Sequence, residues 1–275
     1  MRPYLASLPF SVLPSALCAC TRPQLESAVT DFFNSAVAQR NTLSTPLSSS
    51  AKITQNNQVV SLAQTSYANL TNFAVPWQIS AVDVDACQIA SMRVPTEAGR
   101  QRAILSIRMA LDNATGAIDE IEIVNALPGS HMLFAPERFP AEAPAVWSTP
   151  YPAPALTRVQ LIAIANSYAE GIQSGDGSGV LAAAQCVRNE NGVTMTQHCE
   201  QGLSLFRYPI PTRRWVVDRD LGVVLGMFAF DKSRRAGRSE WLYLHEYFKA
   251  ESGRAAWIEA AMHTLYGPYT DAWAG

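Results

Sequence analysis

The sequence predicts an α+β protein of two tandem units, each an amphipathic helix followed by a set of strands. Three observations predict it. At 275 residues the chain is too long for one small core and comfortable for two domains of ordinary size. Hydrophobic residues make up 48% and charged ones 16%, which describes a globular chain with a large core and excludes a disordered or coiled-coil one. The order helix, strands, Asp-x-x-x-Gly hairpin occurs twice, on either side of a proline-rich bridge.

The first unit, residues 21–134, opens with Thr21-Arg22-Pro23, an N-cap with proline inside the first turn. Leu25, Val29, Phe32, Phe33 and Ala36 recur at helical spacing, and the polar segment 41–50 ends the run. Strand-like stretches follow at 51–62, 82–94 and 102–111. Asp112 to Gly116 supplies a turn, and 117–124 returns as a strand. The bridge, 135–154, carries six prolines, which suit neither a helix nor a central strand. The second unit, 155–275, repeats the order. Thr157 caps a helix over 156–172, which leaves through the glycine-rich 175–179. Strands are expected at 185–196, 213–218 and 223–230, with a turn at 219–222. Two more, 241–249 and 254–263, meet at Glu251-Ser252-Gly253. Asp112 to Gly116 is matched with Asp218 to Gly222, and Gln55-Asn56-Asn57 with Asn189-Glu190-Asn191.

The second half carries several motifs in a fixed order: Cys186-Val187-Arg188-Asn189-Glu190-Asn191-Gly192, Arg213-Arg214-Trp215-Val216-Val217-Asp218, Glu246-Tyr247-Phe248-Lys249 and Ile258-Glu259-Ala260-Ala261-Met262, before a Tyr266-Gly267-Pro268 ending. On these it resembles a bacterial and fungal branch of the nuclear transport factor 2-like, or SnoaL-like, superfamily. The whole chain resembles a fungal tandem family of unknown function with a degenerate copy in front. The resemblance implies two cone-shaped domains, each a curved antiparallel sheet packed on helices around an apolar pocket. The superfamily holds isomerases, cyclases, dehydratases, hydrolases and carriers, so the fold does not choose the activity.

Arg2 followed by an apolar run to Ala19 and a small-residue cluster has the layout of a signal peptide over 1–20, with a disordered tail as its alternative. Secretion is expected on that reading and a cytoplasmic chain on the other. Cys18 and Cys20 then belong to the leader. Cys186 and Cys199, thirteen apart in one β region, can bridge in an oxidising compartment, leaving Cys87 as a small buried apolar residue. No histidine or cysteine spacing suits a zinc site, and the chemistry expected is metal-free. Net charge is −2 and no basic run exceeds Arg234-Arg235, so no nucleic-acid surface is expected. No stretch past the leader approaches the length of a membrane helix. The basic segment Lys232 to Arg238 reads as a solvated loop.

Arg188 and Glu190 share a strand face, which lets the Arg hold a carboxylate ionised or orient an anionic substrate, or simply brace the pocket mouth as an ion pair. Asp218 at a strand end is a candidate general base, against its ordinary use as the first residue of a turn. His245 alternates with Tyr243 and Tyr247, while Glu246 shares the opposite face with Leu244 and Phe248. Only one face can line a pocket: the resemblance favours Glu246, and the Tyr-His-Tyr row would then cover an interface. Trp215, Tyr208 and Phe228 either line the pocket or fill the core. No Gly-rich phosphate loop, Gly-x-Ser-x-Gly elbow or His-Glu-x-x-His helix is present, so no cofactor is expected. The expectation is a cofactor-independent isomerase, cyclase or lyase acting on a small hydrophobic oxygenated molecule. Glu190 or Asp218 would be the base, with Arg188 and a group such as His245 steadying oxyanion charge. A secreted binding protein for an apolar ligand is the alternative, and a homodimer through the open sheet face is a further expectation.

Overall fold

Thr21 and Thr157 each take the extended backbone of an N-cap, and their hydroxyls accept from the N–H groups of Gln24 and Gln160. They start the two long helices, α1 (Arg22–Val37) and α2 (Arg158–Ser174). Gln160 also reaches back to the Thr157 N–H, completing a capping box. α2 stops at Gly175, whose left-handed backbone (φ 68°) no β-carbon opposes. The structure, a computed structural model, describes residues 20–40, 42–97 and 101–274.

In the first half, β1 (Leu47–Gln55), β2 (Gln58–Val59), β3 (Leu70–Asp83), β4 (Gln88–Glu97), β5 (Gln101–Arg102), β6 (Ile104–Leu111) and β7 (Ile118–Ala126) form a sheet in the order β2-β1-β7-β6-β4-β3, with β5 paired to β4. In the second, β8 (Ala182–Glu190), β9 (Val193–Thr196), β10 (Arg213–Asp218), β11 (Val223–Asp231), β12 (Glu240–Glu251) and β13 (Arg254–Tyr266) follow the order β10-β11-β12-β13-β8-β9. Read backwards, the first order is the second. The fold is two tandem curved sheets with few helices, α+β as the sequence predicts. Each sheet is antiparallel except for one parallel pair, β1 with β7 and β8 with β13. Register shifts in β3, β12 and β13 bend the sheets.

Three expected strands are hairpins. Residues 51–62 turn at Asn56-Asn57, 82–94 turn between Asp83 and Gln88, and 185–196 turn at Asn191-Gly192; Asn56, Asn57, Asn191 and Gly192 take the left-handed region. Asn191-Gly192 is an Asn-Gly turn signal that the strand reading runs through, whereas 83–88 has neither glycine nor proline to announce its turn. β3 escapes sequence reading because Thr71, Asn72, Pro76 and Gln78 interrupt its alternation.

Hydrogen bonding fixes the register of the internal repeat. Asn56 donates to the Asn125 carbonyl (3.1 Å) and accepts from the Asn125 N–H (2.9 Å). Asn191 makes the same two bonds to Met262, at 3.0 and 2.8 Å. Asn56 therefore matches Asn191, one position on from the match read in the sequence. Asp83 pairs with Gln88 as Asp218 pairs with Val223, so the partner of Asp218 is Asp83 rather than Asp112. Asp112 opens its own turn by accepting from Ala114 and Thr115.

The two halves clasp each other through these aspartates. Arg22, at the start of α1, donates to Asp218 at 2.7 and 3.1 Å, and the Val82 N–H adds a bond of 3.0 Å. Reciprocally, Arg158 at the start of α2 donates to Asp83 at 2.5 Å and the Val217 N–H at 2.9 Å. The sheets stack face to face over a core that includes Trp77, Met92 and Val124 from one and Leu225, Met227 and Tyr247 from the other. Phe139 and Trp147 of the proline-rich bridge join it, so the bridge is packed rather than loose. The sheet face expected to receive a second copy is thus covered by the other half of the same chain. Two further cores lie under α1 and α2.

Cys186 and Cys199 form the expected disulfide, and Cys20 bonds Cys87. Cys87 is therefore not unpaired, and Cys20 belongs to the folded part; a mature chain starting after it would lose this bridge. The rest of the expected leader lies outside the described residues. Two disulfides suit an oxidising, secretory environment. Among the described residues no helix is long and apolar enough to cross a membrane.

Candidate active site

The parity of β12 decides which side chains meet. Leu242, Leu244 and Glu246 point toward α2, whereas Tyr243, His245 and Tyr247 point into the core between the sheets. On the α2 side a cavity of about 510 Å³ remains open. Tyr168 and Ile172 of α2, Phe230 and Leu244 of the sheet and Tyr208 of the β9–β10 connection form much of its wall. His131 to Leu133, from the segment after β7, also line it.

Glu190, Glu246 and the Tyr168 phenol meet at its floor, with Arg188 packed behind them. Arg188 is 4% exposed and donates to the Tyr168 hydroxyl (3.1 Å) and to the carbonyls of Cys199 (3.3 Å) and Gln201 (3.4 Å). The Cys186–Cys199 bridge ties that carbonyl-bearing loop to the strand carrying Arg188. Its Nε lies 3.4 Å from Glu190 Oε1 without hydrogen-bond alignment, so the two form an ion pair only. Glu190 and Glu246 both register with Ala260, on its two sides, so they flank one small residue across three strands. Two strand spacings put their Cα atoms about 10 Å apart, within reach of a shared substrate. Glu246 is 2% exposed, and its Oε2 has no hydrogen-bond partner.

These surroundings separate the two carboxyls. Burial, then the nearby Glu190 charge, push Glu246 well above the usual carboxylate range, against a weaker pull from Arg188. Burial also raises Glu190, but it retains some exposure and Arg188 opposes the rise. Burial thus favours the protonated form more strongly at Glu246 than at Glu190, where Arg188 favours ionisation, the pattern of an acid–base pair. Burial, then Glu246, lift the Tyr168 phenol far above its ordinary value, so it remains a donor. Among the described residues no group of three His, Cys, Asp or Glu converges as metal ligands do.

The other expected site residues fall elsewhere. Asp218 is buried in the clasp with Arg22, on the far side of the sheet from the cavity, and is held by its structural bonds. His245 lies in the inter-sheet core, 2.9 Å from the Ser106 hydroxyl and 3.6 Å from Glu122. Burial there lowers its pKa, against the pull of Glu122. Neither can touch a molecule in the cavity. Tyr208 does line it, but Trp215 and Phe228 stand behind its wall, packed edge to face at 5.4 Å. Tyr168 was legible only as an apolar helix position; a lone hydroxyl on that face was its one signal.

A second ionic cluster is structural. Glu122 is fully buried and accepts two 2.6 Å bonds from Arg214 and one from the Tyr243 hydroxyl. Burial alone would raise its pKa, yet Arg214 holds it well below the carboxylate range. All its partners except Arg108 come from the opposite sheet, so it locks the halves together.

Residues 154–262 match a family model described as a domain of unknown function, DUF8021. A solved structure, an LEH-like epoxide hydrolase from M. tuberculosis, is 14% identical with a TM-score of 0.31, covering 38% of this chain and 83% of that one. No curated protein matches the sequence.

Proposed function

We propose that the protein is a secreted, cofactor-independent enzyme of the nuclear transport factor 2-like superfamily that moves protons on a small hydrophobic oxygenated molecule. Glu190 takes a proton from the substrate, and Glu246 gives one to oxygen or carbon on the other side of Ala260. Tyr168, whose hydroxyl accepts from Arg188 behind it, donates to the oxyanion that develops between these steps. Isomerisation, cyclisation or elimination all fit this pair. The observation that carries the reading is the buried, unpartnered Glu246 facing an open apolar cavity beside a paired Glu190, because a buried carboxyl without a partner is costly unless it serves chemistry.

Incubated in D2O with a panel of hydrophobic ketones and enones, the protein should exchange carbon-bound hydrogen, read by mass spectrometry. Glu190→Gln should slow that exchange by roughly 100-fold or more, and Glu246→Gln should block turnover to product. Exchange no faster than with heat-denatured protein would overturn the reading. The mostly apolar wall favours a second one, a binding protein whose pocket retains its ligand when both carboxyls are replaced.

A further inference from the structure

The basic segment 232–238, a solvated loop in the sequence, lies over the mouth of the cavity. Lys232, Arg235 and Arg238 all line it. Two of them share one counter-charge: Glu240 accepts from Lys232 at 2.7 Å and from Arg238 at 3.1 Å. Arg235 is different. It donates to the Leu205 carbonyl (2.9 Å) and the Tyr208 hydroxyl (3.4 Å) and makes no ion pair among the described residues. Beside it a smaller cavity of about 350 Å³ shares Phe206, Tyr208 and Arg235 with the main one and adds Arg207 and Arg234. No acidic side chain lines this vestibule, and neither Arg207 nor Arg234 has an ion-pair partner among the described residues. In a chain of net charge −2, three uncompensated guanidinium groups thus sit at the entrance of an apolar hollow. Behind the far wall of that hollow, Arg188 does not line it and is already committed to Glu190, Tyr168 and two carbonyls.

We infer that the natural ligand is an amphipathic anion, with its apolar body in the main cavity and its acidic head held by Arg207, Arg234 and Arg235. Guanidinium forks suit carboxylate, phosphate and sulfate heads alike, and at an exposed rim they set orientation and capture more than depth of binding. The inference rests on the main cavity being the functional site. It adds which end of the substrate enters first: the apolar end, toward Glu246.

Titration calorimetry with decanol, decanoate and decyl phosphate, all below their aggregation concentrations, tests it. At low salt the two anions should bind at least tenfold more tightly than decanol, and 0.5 M NaCl should shrink that advantage. The triple variant Arg207→Glu, Arg234→Glu, Arg235→Glu changes only exposed side chains. It should abolish the preference, weakening the two anions at least tenfold more than decanol. Equal binding of decanol and decanoate, or a preference that survives the triple variant, overturns the inference while leaving the acid–base reading intact. Failure of all three probes to bind overturns it together with the pocket on which both depend. Binding preserved in Glu190→Gln and Glu246→Gln with the anion preference intact supports it, whatever those variants do to exchange.

Discussion

In the second half, Glu190, Ala260 and Glu246 stand in one row across β8, β13 and β12; the matching row in the first half is Gln55, Ile123 and Ile107. The matched helix position pairs Tyr168 with Phe32, and Arg188 corresponds to Ile53. Every group that could carry charge or donate to an oxyanion in one half is thus neutral or apolar in the other. The small residue that leaves a gap is replaced by one that fills it. Beneath α1, Phe32, Phe33, Ile107 and Ile123 close the first core. The difference teaches a division of labour: one copy of the fold keeps a hollow, and the other supplies a solid sheet for it to lean on.

The core between the sheets shows the reverse asymmetry. Glu122 and Glu259 occupy matching places, both buried, but only Glu122 is met by an arginine. The positions that match Arg214 and Tyr243 are Ile79 and Ile104, so Glu259 is left with a 2.9 Å bond from Asn189. Burial pushes it up to about 7, which Asn189 only partly offsets.

The strongest way to break the comparison is to make the second half copy the first. Ala260→Ile places the first half's filler between the two carboxyls. Hydrogen exchange should fall by at least about 100-fold, while the overpacking costs roughly 1–3 kcal/mol in urea unfolding. Retained activity would show that the gap is not where substrate sits. Next in size is the Glu122 cluster: Glu122→Ala leaves the part-buried Arg214 without its counter-charge and the buried Tyr243 hydroxyl without its acceptor, and unfolding should show a loss of about 3–5 kcal/mol. A loss under about 1 kcal/mol would mean that the Glu122 cluster adds little to the apolar packing and aspartate clasps that hold the halves.

The smallest effect concerns Glu259 and has a sign. Its folded pKa of about 7 lies above the value near 4.3 of an unfolded chain, so the folded protein holds a proton that the unfolded one releases. That contribution to stability is complete below about pH 4 and is lost as pH rises through 7. Glu259→Gln keeps the neutral form at every pH. It should therefore be more stable than the parent by roughly 3–4 kcal/mol at pH 8, with the gap closing toward about pH 4 in paired melts. A gap independent of pH would show that Glu259 is charged or solvated in the fold.

Much of this organisation was legible in the residues. The helix starts at Thr21 and Thr157, the glycine exit at Gly175, the hairpins at 112–116 and 219–222 and the Cys186–Cys199 pair all depend on local chemistry. Backbone preference and a few neighbouring side chains settle them. Arg188 and Glu190 were readable as partners because strand parity puts them on one face.

Parity also marks where reading stops. A strand's period of two says that His245 and Glu246 part company, not which of them meets the ligand. That was decided when the first sheet came to cover the Tyr243, His245 and Tyr247 face. Asp218 carries an equally ambiguous signature, and only Arg22, 196 residues away, turns it into a clasp. Local sequence determined the elements and their sidedness, because those follow from bonds between near neighbours. Which side became core, interface or cavity required the packing of one half on the other, since burial belongs to the assembled chain rather than to any segment of it.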